Sequence, residues 1–377
     1  MLVTDPVRTY GSPRLVSLDA FRGLTIAGMI VVNNPGTWGA VYPPLKHAEW
    51  HGWTPTDLIF PFFLFIVGVS IVFSFSKRLS GGATIPELFR HVAMRSVLLF
   101  ALGMLLTGLP DFNYDNKLIL DVLQRIAVVY LVSAGIILVS TRAMQATMAA
   151  AFLAVYWLVM FVVPVPGHGA GVLEWQGSVW DYADRLVLDG WHSHAEGILS
   201  LIPSFSTVLL GSLTGEWLRT DRAPLEKLAM LFVAGNVGMV AGLIMDVWFP
   251  INKLLWSPSY VVFTAGFALN VLGMCFWLID IKAWKRWSTP FLVFGMNPLA
   301  TFFLASLVGR IMGLLTIRAE GADGVLTPIP LKTVLFNGLF ASWLSDIDAS
   351  LVFAVAYTAA WWGIMTFFYR KKIFLKL

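Results

Sequence analysis

Residues 46–58, KHAEWHGWTPTDL, crowd His47, Glu49, His51 and Asp57 against the start of an apolar run. Imidazole and carboxylate together make a proton-transfer pair near neutral pH, the acid orienting the ring and the ring taking the proton. His47 and His51 are four apart and share a face if this stretch is helical. The same spacing, with Glu49 between, also resembles a pair of metal ligands, but the motif supplies no third ligand of a usual set, so no metal is expected. A neutral imidazole oriented by a carboxylate is the expected chemistry. Helical spacing from Asp57 places Pro61, Leu64 and Gly68 on one face, a close-packing face that carries a single acid.

Other polar groups stand where apolar residues predominate. In SLDAFRGLTIAGMIVVNNPG, Asp19 and Arg22 are three apart on one helical face. They form an intrahelical ion pair, or Arg22 joins Arg95 as positive charge for a phosphorylated ligand. The same run ends in Asn33-Asn34-Pro35-Gly36, whose amides either cap the helix or donate to an oxyanion. DVLQRIAVVY places Gln124 and Arg125 within a turn of a span's end, where a snorkelling arginine is the structural alternative to a ligand contact. Glu196 precedes another apolar run, and Asn252, Lys253 and Trp256 precede a third; Trp and Lys are also ordinary membrane-interface residues.

These groups must be held by apolar elements. Of the 377 residues, 58% are hydrophobic and 13% charged, with a mean hydropathy of +0.75. Soluble domains run at about 45–50% apolar and about 25% charged, so the chain is expected to be an all-α polytopic membrane bundle. Roughly 20 apolar residues make a span. Ten are expected, at about 16–34, 56–76, 91–109, 118–139, 143–164, 198–218, 226–248, 259–279, 290–314 and 349–369. The apolar stretch 331–344 is short and reads as re-entrant or interfacial, and loops 165–197 and 315–348 are long.

The formal charge is +4, but basic residues recur in short clusters between apolar runs, as topology signals do, so no nucleic-acid partner is expected. Lys77, Arg78, Arg90, Arg142, Arg219, Arg222, Lys227, Lys282, Lys285, Arg286 and the Arg370–Lys372 run fall on one side, which the positive-inside rule makes cytosolic together with both termini. Residues 46–58 then open to the outer face. The first fourteen residues are polar and contain two prolines, unlike a signal peptide, and 1–15 reads as a cytosolic tail before a membrane domain over 16–377. Cys275 is the single cysteine, so no disulfide framework or cysteine metal site is expected.

The segments RLVSLDAFRGLTI, KHAEWHGWTPTDLIFPFFLFIVG, LQRIA, AEGILSLIPS, INKLLWSPSYV and GMNPLA, in this order over roughly 14–305, resemble the heparan-α-glucosaminide N-acetyltransferase family. The resemblance implies a transmembrane enzyme of a bacterial inner membrane. Such an enzyme takes acetyl-CoA from the cytosol and acetylates a glucosamine amine on the outer side. It places the active-site histidine on His47, the family asparagine on Asn33 or Asn34, the family aspartate on Asp57 and a family acid on Glu196. Arg22, Lys77, Arg78 and Arg95 would meet the CoA phosphates, while Glu196, Arg125, Asn252, Lys253 and Trp256 would surround the acceptor. The sequence lacks the large luminal domain of the lysosomal member, so a free amino sugar or an envelope glycan is the expected acceptor. Membrane lipid surrounds the bundle, and a homodimer is plausible.

An extended CoA arm crosses much of a ~30 Å hydrocarbon core, which lets a donor held inside meet a histidine outside. His47, oriented by Asp57, would take the amine proton, and Asn33 or Asn34 would donate to the oxyanion. Alternatively His47 carries the acetyl group itself. A sugar permease or transport accessory is the rival class, which would show inverted repeats; none is visible. An O-acyltransferase acting on another glycan or a lipid headgroup is a third.

Overall fold

The computed structural model describes residues 15–112, 114, 120–187, 197–320 and 326–374. The helices are α1 (Val16–Asn33), α2 (Ile59–Ser80), α3 (Ile85–Gly108), α4 (Val122–Val139), α5 (Arg142–Val162), α6 (Val179–Val187), α7 (Leu201–Leu218), α8 (Pro224–Met245), α9 (Pro258–Cys275), α10 (Thr289–Met296), α11 (Pro298–Leu314), α12 (Leu331–Phe336) and α13 (Asp346–Arg370). Strands β1 (Thr316–Glu320) and β2 (Leu326–Pro330) form one antiparallel hairpin, with Thr316 opposite Pro330.

Among the described residues eight helices are long and apolar enough to cross a membrane, and counting the α10–α11 pair as one bent span makes nine. This is a polytopic membrane bundle. The difference from ten lies at two places. Helix α7 occupies the expected sixth span over eighteen residues but carries Ser204, Ser206, Thr207, Ser212, Thr214 and Glu216, and it is not among the eight. The expected ninth span bends by 75° between Met296 and Pro298. Pro298 has no amide proton and cannot continue the ladder, so the helix restarts there. The short apolar stretch that follows β2 is helical over Leu331–Ala341.

The chain divides into two compact units. Unit one contains residues 49–53 and 61–283 and is built around α7, which packs on α4, α5 and α9. Lipid-solvated helices gain little from hydrophobic burial, so close backbone approach matters more. A Cβ on Gly68 of α2 would lie 2.0 Å from the Val208 carbonyl oxygen of α7, and one on Gly211 of α7 would lie 2.1 Å from that of Phe65. Only glycine permits that crossing. Tyr156, Met160, Val165, Val179, Trp180, Phe249 and Leu255 form a buried apolar cluster, with Trp50 packed against it.

Unit two contains residues 16–48, 54–60 and 284–377. Helix α1 packs on α10, α11 and α13, and its Gly23 sits where a Cβ would meet the Phe291 carbonyl oxygen at 1.7 Å. This unit holds the loop that leaves α1 and the turn that enters α2.

Candidate active site

Helix α1 stops because Pro35 follows two asparagines. Asn34 is buried, and its amide donates to the Ile30 carbonyl at 2.9 Å, one turn back. Asn33, the last helical residue, is exposed. The chain is then pinned to the start of α13. The Gly36 amide donates to the Ser350 carbonyl at 3.2 Å, the Thr37 amide to Ser350 Oγ at 3.2 Å, and Ser350 Oγ to the Thr37 carbonyl at 3.1 Å. Tyr42 donates its hydroxyl proton to Asp348 Oδ1 at 2.5 Å, and Ser345 Oγ donates to Oδ2 of the same carboxylate at 2.5 Å. The hydrogen bond to Asp348, then burial, then the Asp348 charge raise the Tyr42 pKa above its ordinary 10.0.

Two short 3₁₀ turns follow, Pro43–Leu45 and Pro55–Leu58. Proline at the first position of each presets the backbone for a turn. Asp57 sits at the third position of the second turn and reaches back to the Thr54 amide at 3.0 Å, as the acid of a capping box does. Its Oδ2 also accepts from the Ala48 amide at 3.0 Å, and its Oδ1 lies 2.5 Å from His47 Nδ1. Asp57 is 1% exposed, whereas the His47 side chain is 48% exposed. A buried carboxylate thus grips an imidazole that opens to its surroundings. If the Nδ1 proton points to Asp57, the basic lone pair is on Nε2, which can take a proton or an acyl group.

Residues 46–53 are not helical, so the face that His47 and His51 would share by four-residue spacing does not form. His51 belongs to unit one, where its Nδ1 lies 3.4 Å from Asn252 Nδ2 and its Nε2 lies 3.8 Å from Glu174 Oε1. Asn252 itself is buried; its Oδ1 accepts from the Leu255 amide at 2.9 Å and its own amide donates to Ser257 Oγ at 3.0 Å. Lys253 beside it is half-buried. Among the described residues no group of three or more His, Cys, Asp or Glu could hold a metal ion.

Arg125 is 0% exposed inside unit one. Its guanidinium donates to the Gly197 carbonyl at 2.7 Å, to Ser204 Oγ at 3.4 Å and to Ser200 Oγ, and lies 5.5 Å from the Trp256 ring centroid. Trp256 is equally buried, adopts a φ of +52°, and donates Nε1–H to Thr207 Oγ1 at 3.1 Å. These two side chains hold the entry to α7 and the turn before α9. Glu196 lies outside the described residues.

The basic residues divide between the units. Arg22, in unit two, is paired with Asp19 Oδ1 at 2.9 Å and donates to the Gly295 carbonyl at 3.3 Å. Lys77 and Arg78 end α2 in unit one, exposed. An Arg78 N–H lies 3.0 Å from His91 Nε2, and Arg95 lies over the Tyr130 ring at 5.3 Å. Neither Arg78 nor Arg95 makes an ion pair among the described residues, so their charge is available to a ligand anion. Sequence reasoning missed His91, Glu174 and the ties made by Tyr42 and Thr54. The Thr54–Asp57 spacing of three, a capping-box signal, could have revealed the last.

Comparison with known proteins identifies the family. Residues 14–238 match the family model described as heparan-alpha-glucosaminide N-acetyltransferase, catalytic. The protein named heparan-alpha-glucosaminide N-acetyltransferase from Homo sapiens is 30% identical over 426 aligned positions, covering 97% of this chain and 60% of the relative. The protein of the same name from Mus musculus is 27% identical over 435 positions, covering 98% and 61%. The chain therefore spans about three fifths of the length of the curated relatives it matches. With the family model covering more than half of its residues, the chain belongs to the heparan-alpha-glucosaminide N-acetyltransferase catalytic-domain family.

Proposed function

We propose that the protein is a transmembrane N-acetyltransferase that moves an acetyl group from cytosolic acetyl-CoA to the amine of a glucosamine-type sugar on the outer side. One observation carries the reading: His47 Nδ1 lies 2.5 Å from the buried Asp57 carboxylate while the ring is half-exposed. The thioester supplies an activated acetyl carbonyl. As the sugar nitrogen attacks it, His47 Nε2 takes the proton that the nitrogen sheds, and Asp57 supports the imidazolium that forms. The tetrahedral intermediate then collapses, the C–S bond breaks, and CoA leaves as a thiolate that takes the proton back from the imidazolium. The negative charge developing on the carbonyl oxygen needs a donor. Asn33 suits that role better than Asn34, whose amide is already committed to Ile30.

Arg78 and Arg95, without ion pairs among the described residues, suit the donor's phosphates, and Lys77 precedes Arg78 on the same helix. Arg22, paired with Asp19, is a separate candidate. The basic clusters between spans support donor entry from the cytosol. Glu196, Lys253 and Asn252 remain candidates for the acceptor, Asn252 through its contact with His51. Arg125 and Trp256 are better suited to shaping the loops that would carry such contacts.

The test is turnover of radiolabelled acetyl-CoA by purified protein across a panel of amino sugars. N-acetylated product from wild type and none from His47→Ala supports the reading. Release of CoA without any acetylated amine, or undiminished turnover by His47→Ala, overturns it.

A further inference from the structure

His47 follows the Pro43–Leu45 turn and Asp57 lies within the Pro55–Leu58 turn, and Thr54 is among the side chains that bridge the two. Thr54 donates its hydroxyl proton to the Lys46 carbonyl at 2.6 Å, and its backbone amide donates to Asp57 Oδ2 at 3.0 Å. The Lys46 carbonyl belongs to the peptide plane that carries the His47 nitrogen, so Thr54 fixes the backbone of one partner and the carboxylate of the other. The hydroxyl also lies 3.2 Å from Asp57 Oδ2. With one proton to give, it favours the shorter bond to the carbonyl, and its oxygen walls the carboxylate on that side. Thr56 makes a parallel but weaker tie, its hydroxyl donating to the Pro44 carbonyl at 3.2 Å. It contacts neither His47 nor the Asp57 carboxylate in that bond.

We propose that Thr54 is a positioning residue for acetyl transfer, holding His47 and Asp57 in register through its hydroxyl. This rests on the reading of His47 as the transfer histidine. A hydrogen bond of 2.5 Å between ring and carboxylate tolerates little displacement, and His47 follows a turn only three residues long, tied to Asp57 also through the Ala48 amide at 3.0 Å. Removing the hydroxyl leaves the Lys46 carbonyl without this donor and lets the His47 turn drift from Asp57. The cost falls on the proton-transfer step, where geometry is most demanding, rather than on donor or acceptor binding.

The experiment compares wild type, Thr54→Val, Thr54→Ser, Asp57→Asn and the Thr54→Val/Asp57→Asn double variant. Valine keeps the shape and the backbone amide and removes only the hydroxyl. The expected result is a kcat about tenfold lower in Thr54→Val, the scale of one lost hydrogen bond, with both KM values unchanged. Serine restores most of the rate. In the Asp57→Asn background the valine change costs less than about twofold more, because the two substitutions break the same arrangement.

A second readout needs no turnover. Carbethoxylation of His47 by diethyl pyrocarbonate, followed by peptide mass spectrometry, slows in Thr54→Val and not in Thr54→Ser, because a gripping carboxylate makes Nε2 more nucleophilic. Wild-type kcat and carbethoxylation in Thr54→Val overturn the proposal, as does a loss that serine fails to restore or a full tenfold effect on top of Asp57→Asn. Should wild type transfer no acetyl group, the functional reading falls, and the carbethoxylation rates still decide whether Thr54 positions His47.

Discussion

Two places in this molecule put ionisable side chains where lipid-facing sequence would exclude them, and they treat those side chains in opposite ways. At the turn before α2, Asp57 is buried but its partner His47 is half-exposed. At the entry to α7, Arg125 is buried completely and spreads its hydrogen bonds over Gly197, Ser200 and Ser204. One arrangement fixes a reactive ring on a buried acid while keeping the ring half-exposed. The other occupies a cation with backbone and hydroxyl oxygens and a tryptophan face. An exposed imidazole on a buried carboxylate is suited to exchange protons with a ligand, whereas a buried guanidinium surrounded by acceptors is suited to hold loops in place. Burial alone does not mark a functional charge in a membrane protein; what marks it is a reactive group that stays accessible to a ligand.

The largest test of that contrast is His47→Ala. Turnover is expected to fall by at least about 10²–10⁴, the range for loss of a general base, while thermal unfolding in detergent stays close to wild type because the ring is half-exposed. A variant that unfolds instead would place His47 with the structural class. Asn33→Ala is expected next, with kcat lowered by about 10²–10³ if its amide serves the oxyanion. The matching Asn34→Ala should instead lower the melting temperature, since its bond to the Ile30 carbonyl satisfies the C-terminal turn of α1 and is worth about 0.5–1.5 kcal/mol. Exchange of those two outcomes would reassign the family asparagine.

Arg125→Ala probes the other side of the comparison. It removes three hydrogen bonds from a charged donor, each worth about 1.5–3 kcal/mol, and leaves in place the Ser200 Oγ bond to the Gly197 carbonyl and the Ser204 Oγ bond to the Ser200 carbonyl at that entry. A clear drop in thermal stability is expected. Lysine should recover little of it, because a point charge cannot reproduce a guanidinium fork. A stable Arg125→Ala protein with raised KM for the acceptor would make Arg125 a binding residue after all.

The smallest effect is expected from Tyr42→Phe, which frees the loop ahead of His47 from Asp348. The hydrogen bond raises the folded-state pKa of Tyr42, so its contribution is fully present below pH 10 and is lost as pH climbs through that raised value. The melting-temperature gap between wild type and Tyr42→Phe should therefore be steady near neutrality and close in strong alkali. A gap that persists unchanged above that range would mean that Tyr42 acts through its ring.

Much of this was legible in the sequence, for identifiable reasons. Spans showed as apolar runs, but the ninth was expected to run unbroken over 290–314, and Pro298 was the unread signal of its 75° bend. The Asn33-Asn34-Pro35-Gly36 stop was visible, yet which amide turns inward depends on the last turn of α1. His47 and His51 look equivalent by spacing. They part because residues 46–53 are irregular, a result of glycine and proline at 52 and 55 and of contacts with residues far along the chain, such as the Gly52 amide on the Ile251 carbonyl at 2.7 Å. Arg125 looked like an interface residue because its acceptors lie more than seventy positions away. Local pattern reveals local structure; long-range satisfaction of polar groups it does not.

Transfer across the membrane through His47 is the central claim, and sealed inside-out vesicles test it most directly. Acetyl-CoA supplied outside, on the former cytosolic face, should acetylate glucosamine trapped within when the vesicles carry wild type and leave it unmodified when they carry His47→Ala. Right-side-out vesicles given acetyl-CoA externally should be silent. Acetylation only when donor and acceptor share one compartment, or transfer that persists without His47, would contradict the account.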